Sequence, residues 1–312
     1  RIALAVEFAL WFGIARVLHE RGLLSGAGAV LAVVLLPLLA RALVLAWGVI
    51  DARSHGVPLA PGQRLDLRGW LRYLAGEYLH LISHGLVQLP FPGFFRSRAD
   101  RALAAGRPVT GGPVVLLQHG YSHNGAVWWG SVRALEAAGH RVFTIDQPFW
   151  EDIERMAERL HARIEAILAA TGEAQLTLVA HSMGGLIGRA YLRRYGPSRL
   201  HALVTIGSPH HGTRLARLAL GPNGAQMRIG NPWLAELNAT PLPPELPVIS
   251  IWSVHDTIIV PQDASRLDGA MNIVMHGVGH VAQPADRETR ARWIACLPAP
   301  KVDRRGRVRT DR

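Results

Sequence analysis

One cysteine, Cys296, excludes an internal disulfide, and this usage fits a reducing compartment without requiring one. Lysine is nearly absent too. Lys301 is the only one, so the net charge of +11 is almost wholly arginine. The arginines are dispersed and no nucleic-acid-binding motif accompanies them. They read as a membrane-proximal surface, and no nucleic-acid partner is expected. No internal repeat and no low-complexity linker is present. Position 1 is Arg1 rather than an initiator methionine, so residues upstream of it are expected. Apolar residues are scarce from Lys301 to Arg312, and 299–312 is expected to be a basic, disordered tail.

Apolar residues are abundant elsewhere, at 49% of 312 residues, and they concentrate at the start. Ile2 to Leu18 is apolar apart from Glu7 and Arg16, and Leu23 to Ile50 apart from Ser25 and Arg41. A short polar turn, His19 to Gly22, separates them. A spanning helix needs about 20 apolar residues, and neither run has a polar face. Residues 1–50 are therefore expected to form a transmembrane helical hairpin, with a pair of buried core helices as the alternative. No clear small-residue cleavage site follows, which disfavours a signal peptide. Arg53, Arg64, Arg68 and Arg72 outnumber Arg16 and Arg21 at the turn, which puts both ends, and the domain that follows, in the cytoplasm. Glu7 and Arg41 are expected either to pair across the hairpin or to reach the interfaces separately, since an unpaired charge at the bilayer centre costs at least ~2.5–3.5 kcal/mol.

Residues 51–107 read as a connector. Leu71 to Leu89 has helical periodicity, and Pro90-Phe91-Pro92-Gly93-Phe94-Phe95 ends that helix and exposes three phenylalanines. The segment is expected to pack on the following domain; lying on lipid is the alternative. Within 108–298 strands and helices alternate, the pattern of an α/β domain with a mostly parallel sheet covered by helices on both faces. The expected strands are Val114–Gln118, Arg141–Ile145, Leu176–Ala180, His201–Ile206, Val248–Ser253 and Asn272–His276. Thr213 to Pro247 reads as irregular.

One stretch carries the chemistry. Leu176-Thr-Leu-Val-Ala-His-Ser-Met-Gly-Gly-Leu-Ile-Gly188 reads as strand, sharp turn and helix, with Ser182 at the turn. Ala180 and Gly184 flank it at minus two and plus two, so strand and helix can approach closely. That is a nucleophile elbow with alanine in the first small-residue slot. A serine hydroxyl needs a base, and the base an orienting acid. In chain order serine, acid, histidine, Asp256 follows one late strand and His280 the last. The expected catalytic set is Ser182, Asp256 and His280. Asp146 is the alternative acid, Asp263 and Asp268 read as surface charges, and His255 and His276 are neighbours in less suitable positions. The oxyanion hole is expected from the backbone N–H groups of Met183 and Tyr121. Gly120 admits the substrate, and His119 braces the loop. Trp128 and Trp129 read as core packing.

These motifs together resemble bacterial α/β-hydrolase lipases. The resemblance covers about Pro113 to Cys296 and rests on Gln118-His-Gly-Tyr121, Ala180-His-Ser-Met-Gly-Gly185, Gly207-Ser-Pro-His-His-Gly-Thr213, Asp256 with Val260-Pro261, and Gly279-His280. The whole set is similar to proteobacterial lipase-like proteins with an N-terminal membrane segment. It implies an α/β-hydrolase fold, hydrolysis of carboxylic esters through an acyl-serine, a lipid or ester substrate, no cofactor, and a place in the bacterial inner membrane. Acyl transfer or thioester cleavage by the same residues, and a non-catalytic membrane role, are the competing readings. Secreted lipases of this kind often hold calcium, but no cluster of oxygen ligands is visible and no metal is expected. Leu215, Leu218, Leu220, Met227, Trp233 and Leu237 are candidates for a small apolar flap or for simple cover over the acyl pocket.

Overall fold

Short apolar runs bounded by glycine and proline form the strands. In the computed structural model, which describes residues 2–298 and the side chains of 5–298, six strands make one sheet. They are β1 (Val114–Gln118), β2 (Arg141–Ile145), β3 (Leu176–His181), β4 (Leu200–Ile206), β5 (Val248–Ser253) and β6 (Met271–Met275). Their order is β2-β1-β3-β4-β5-β6, and each neighbouring pair is parallel. Successive side chains point to opposite faces. Val114 and Leu116 join one core with Phe143, Leu178 and Leu203, while Val115 and Leu117 join a second with Val142, Val179 and Val204. Burial on both faces is why these strands read as continuous apolar runs.

Helices α6 (Ile153–Thr171) and α7 (Met183–Tyr195) cover the first face; α5 (Trp129–Ala137) and α10 (Arg287–Ile294) cover the second. Helix α6 shows why its residues form a helix. Asp152 caps it, accepting from Arg155 N at 2.9 Å, and Glu154 in its first turn suits the dipole. Met156, Leu160, Ile164 and Ile167 make its buried stripe, and Gly172 ends it in the left-handed region at φ 72°.

After β1 the chain moves to β2 at the sheet edge, then returns to the other side of β1 as β3. The strand order reverses there, which opens a crevice at the carboxyl ends of β1 and β3.

The hairpin and connector are helical. Helix α1 (Ile2–Glu20) and α2 (Gly26–His55) are joined by a short turn, with Ser25 Oγ accepting from Gly28 N at 3.1 Å. Helix α2 is long and apolar enough to cross a membrane, the one helix that meets this test among the described residues. Only 11% of its most apolar stretch is buried, unlike a core helix. The span expected over residues 2–18 begins among residues whose side chains lie outside those described. Glu7 and Arg41 do meet across the hairpin, with Arg41 Nη1 donating to Oε1 at 2.6 Å and Nη2 to Oε2 at 3.0 Å. The Glu7→Gln, Arg41→Gln double variant should therefore lose less thermal stability in detergent than the two single losses summed, by about 1–3 kcal/mol. Strictly additive losses would show that the pair contributes nothing.

In the connector, α3 (Leu67–Ser83) starts four residues before the periodicity suggested, because Asp66 caps it at Gly69 N (2.7 Å). It packs on the α/β unit through Tyr73 and Glu77, both buried. Of the three phenylalanines expected to be exposed, only Phe94 is; Phe95 sits edge-on to Trp129 at 5.7 Å. A further short helix, α4 (Arg98–Ala104), precedes β1. The stretch 213–247, expected to be irregular, contains a 3-10 turn (Arg214–Arg217), α8 (Gly221–Gln226) and α9 (Pro232–Ala239). Its many breakers turn out to start helices: Pro232 stands in the first turn of α9, and Asn231 caps Trp233 N at 3.0 Å. The tail 299–312 lies outside the described residues.

Candidate active site

Ser182 sits between β3 and α7 in a conformation that costs energy. Its φ is 56° and ψ −131°, left-handed for a residue with a side chain. Such strain persists only where the surroundings enforce it. Small residues allow the close approach that does so. A Cβ on Gly184 would stand 2.7 Å from His119 O, and one on Gly120 would stand 2.6 Å from Ser182 Cβ. The elbow and the loop after β1 therefore lie in direct backbone contact.

The three residues expected to act together are joined. Ser182 Oγ lies 3.0 Å from His280 Nε2, and His280 Nδ1 lies 2.8 Å from Asp256 Oδ2. Asp256 Oδ2 also accepts from Gln283 Nε2 at 2.8 Å, while Oδ1 accepts the backbone N–H groups of Ile258 and Ile259, each at 2.8 Å. These bonds require Nδ1 of His280 to carry the proton, which leaves Nε2 to accept from the serine. All three side chains are buried. Burial pulls the His280 pKa down, but the Asp256 charge and hydrogen bond, helped by the Glu77 charge, outweigh it and leave it above the ordinary value.

The N–H groups of Met183 and Tyr121 donate to no protein acceptor among the described residues. Met183 N is also the first of α7, where the helix dipole favours negative charge. His119 stands beneath this loop. Its Nε2 accepts from Gln147 N and its Nδ1 contacts Gly120 O, each at 2.8 Å, and burial keeps its pKa low.

The alternatives lie apart. Asp146 accepts from Gly125 N at 2.6 Å and braces the loop after β1. Asp263 and Asp268 are exposed, as is His276. His255 accepts from Gly277 N at 3.1 Å and packs against Trp70 and Tyr73. Trp128 is fully buried against Trp293. His210, in the Ser-Pro-His-His-Gly-Thr motif, is buried against Thr205 (3.1 Å), and Thr213 takes Val260 N at 3.2 Å, which ties this motif to the loop after Asp256.

Beside Ser182 opens an apolar pocket of about 220 Å³, lined by Leu215, Ala216, Leu218, Met227, Ile258 and Ile259. Three of the six flap candidates, Leu215, Leu218 and Met227, thus line it. Leu237 lies in the core with Trp233 packed against it, and Leu220 is exposed. Tyr121 Oη holds the pocket rim, within 2.9 Å of both Leu220 N and Leu220 O. Among the described residues no group of three or more His, Cys, Asp or Glu side chains is placed to hold a metal ion.

Sequence reasoning missed Gln283, His181 and Glu77. His181 Nε2 contacts His280 O at 3.1 Å, and burial keeps its pKa well below the ordinary value. Gln283 lies only three residues beyond His280, a proximity that could have drawn notice. Glu77 sits some two hundred residues away in the chain, and nothing local marks it.

Comparison with known proteins agrees with this architecture. Residues 113–227 match the family model described as alpha/beta hydrolase fold. A triacylglycerol lipase of Pseudarthrobacter phenanthrenivorans is 32% identical over 92 residues, 28% of this chain and 28% of the lipase. The pimeloyl-[acyl-carrier protein] methyl ester esterase of Aeromonas hydrophila is 37% identical over 103 residues, 31% of this chain and 38% of the esterase. The matched stretch is thus well under two thirds of either relative. Among solved structures, mature Bacillus licheniformis lipase BlEst2 superposes with a TM-score of 0.55 at 16% identity, covering 61% of this chain and 94% of that one. The chain has the alpha/beta hydrolase fold and resembles the bacterial lipases and esterases that share it.

Proposed function

We propose that this protein is a membrane-anchored serine hydrolase of lipid carboxylic esters. The observation that carries the reading is the unbroken hydrogen-bonded line Ser182–His280–Asp256 at the wall of an apolar pocket. His280 Nε2 takes the hydroxyl proton as Ser182 Oγ attacks the ester carbonyl. The N–H groups of Tyr121 and Met183 hold the oxyanion. His280 then gives the proton to the departing alcohol, leaving an acyl-serine, and water attacks that ester with His280 again the base. The acyl chain lies in the pocket beside Leu215 and Ile259.

Helix α2 supplies the anchor, with the domain on the cytoplasmic side of the bacterial inner membrane. Its last turns rest on residues next in the chain to the pocket walls: Arg214, between Thr213 and Leu215, pairs with Asp51 at 3.3 Å, and Gly48 packs against Thr257, the neighbour of Ile258. The pocket therefore lies close to the end of the anchoring helix, where a lipid ester would be presented.

An ester series assayed in detergent micelles tests this. Each added methylene buried in the pocket contributes ~0.8 kcal/mol, so kcat/KM should rise roughly fourfold per methylene until the pocket is filled, then level off. Ala219 also lines the pocket, so Ala219→Trp should move that plateau to shorter chains and leave the shortest ester unaffected. A series with no plateau would mean that the chain lies elsewhere. No Ser182-dependent turnover of any ester would turn the reading toward acyl transfer or a binding role.

A further inference from the structure

The loop that carries His280 is held from outside the sheet and its covering helices. Glu77 lies on α3 in the connector and is 1% exposed. Its Oε1 accepts Val281 N at 2.8 Å and its Oε2 accepts Ala282 N at 2.9 Å. On the other side of His280, a Cβ on Gly279 would stand 2.5 Å from the Glu77 carboxyl carbon. One carboxylate thus touches the residues flanking His280 on both sides.

Among the described residues no cationic side chain forms an ion pair with Glu77; His280 acts on it only through its charge. Burying a carboxylate without a counter-charge is costly. Burial pushes its pKa up to about 7, against the pull of the two N–H groups and of His280. An uncharged side chain would avoid this cost, so the charge itself needs a reason.

We propose that Glu77 is a positioning residue for the Ser182–His280–Asp256 site: its carboxylate fixes the His280 loop and places a second negative charge near the imidazolium formed in catalysis. Helix α3 then belongs to the active site. It is joined to the hairpin as well, since Tyr78 Oη donates to Leu38 O at 2.9 Å and Gly85, just beyond α3, lies against Arg41. The proposal rests on reading His280 as the general base.

The groups facing this pair are few. Asp256 comes from the loop after β5 and His181 from the end of β3. Tyr73, on α3 itself, is driven far up by burial and by the Glu77 charge, and donates to His255 O at 2.9 Å. His255 is held down at about 4 by burial. His255 is therefore neutral above pH 5, burial likewise keeps the His181 pKa well below its ordinary value, and Tyr73 keeps its proton. The acid limb of kcat/KM reports the coupled Glu77–His280 pair.

The test uses the full chain in detergent, with Glu77→Gln, Glu77→Asp and Ser182→Ala compared for kcat, KM, pH profile and thermal melting. Glu77→Gln removes the charge that assists Asp256 in raising the His280 pKa. Its acid limb should move down by about half a pH unit or more, with kcat reduced about tenfold and KM little changed. Glu77→Asp keeps the charge but not the reach, so kcat falls while the limb stays. If Glu77→Gln does not melt cooperatively, Glu77→Asp decides: a lowered kcat with the acid limb in place supports the proposal, and wild-type kcat or a displaced limb overturns it. A lowered kcat in Glu77→Gln with an unmoved limb would make Glu77 merely structural and overturn the proposal, as would wild-type kcat and pH profile in both variants. If Ser182→Ala keeps full turnover, the underlying reading fails instead.

Discussion

Ser182→Ala should lower ester turnover by about 10⁴-fold or more. The variant removes one buried oxygen at the turn between β3 and α7. His280 loses the group 3.0 Å from its Nε2, while the bonds of Asp256 do not involve Ser182. Alanine also suits the position sterically, since the positive φ already admits a Cβ there. The folded protein should therefore melt as the wild type does, because alanine keeps the same Cβ and the same backbone conformation at the turn. Covalent labelling by an active-site serine probe should vanish in parallel. Turnover near the wild-type rate in a well-folded Ser182→Ala protein would remove the serine from the mechanism. Residual activity of about 10³-fold over background would still be expected from the Tyr121 and Met183 N–H groups and substrate binding.

Asp256→Asn should cost about 10⁴-fold in kcat, with KM little altered. The argument comes from how the carboxylate is held. Oδ1 accepts two backbone N–H groups, so an asparagine must keep its carbonyl oxygen there. Its amide nitrogen then takes the Oδ2 place, opposite His280 Nδ1 and Gln283 Nε2. A donor facing His280 Nδ1 forces the other tautomer, with the proton on Nε2, and that nitrogen can no longer accept from Ser182. The geometry survives and the base does not. Gln283 can turn its amide oxygen toward the new donor, which limits the loss of stability. A variant that keeps most of its kcat would mean that Asp256 does not set the tautomer of His280. Asp146, the alternative acid, is bonded to Gly125 N and should tolerate the same test with a far smaller loss.

The α/β alternation and the elbow were legible because both are local. Buried parallel strands need short apolar runs, and a tight strand-to-helix turn needs small residues beside Ser182. Chain order then pointed to Asp256 and His280, since each follows a late strand. The helices within 213–247 were not legible, because proline, glycine and asparagine serve equally as breakers and as first-turn residues or caps. Apolar content identified α2 as a helix able to cross a membrane. Charge content raised the pairing of Glu7 with Arg41, and packing of the hairpin decided it.

Sequence alone determined the fold class and the residue at the turn, because period, spacing and order along the chain express backbone requirements. Tertiary structure alone decided what surrounds them. The pocket walls come from 215–227 and from 258–259, the carboxylate of Asp256 is held partly by Gln283, and Glu77 reaches the His280 loop from a helix two hundred residues earlier. Contacts between segments so far apart depend on how the layers dock, and a buried glutamate on an aromatic helix face carries no local mark of what it will touch.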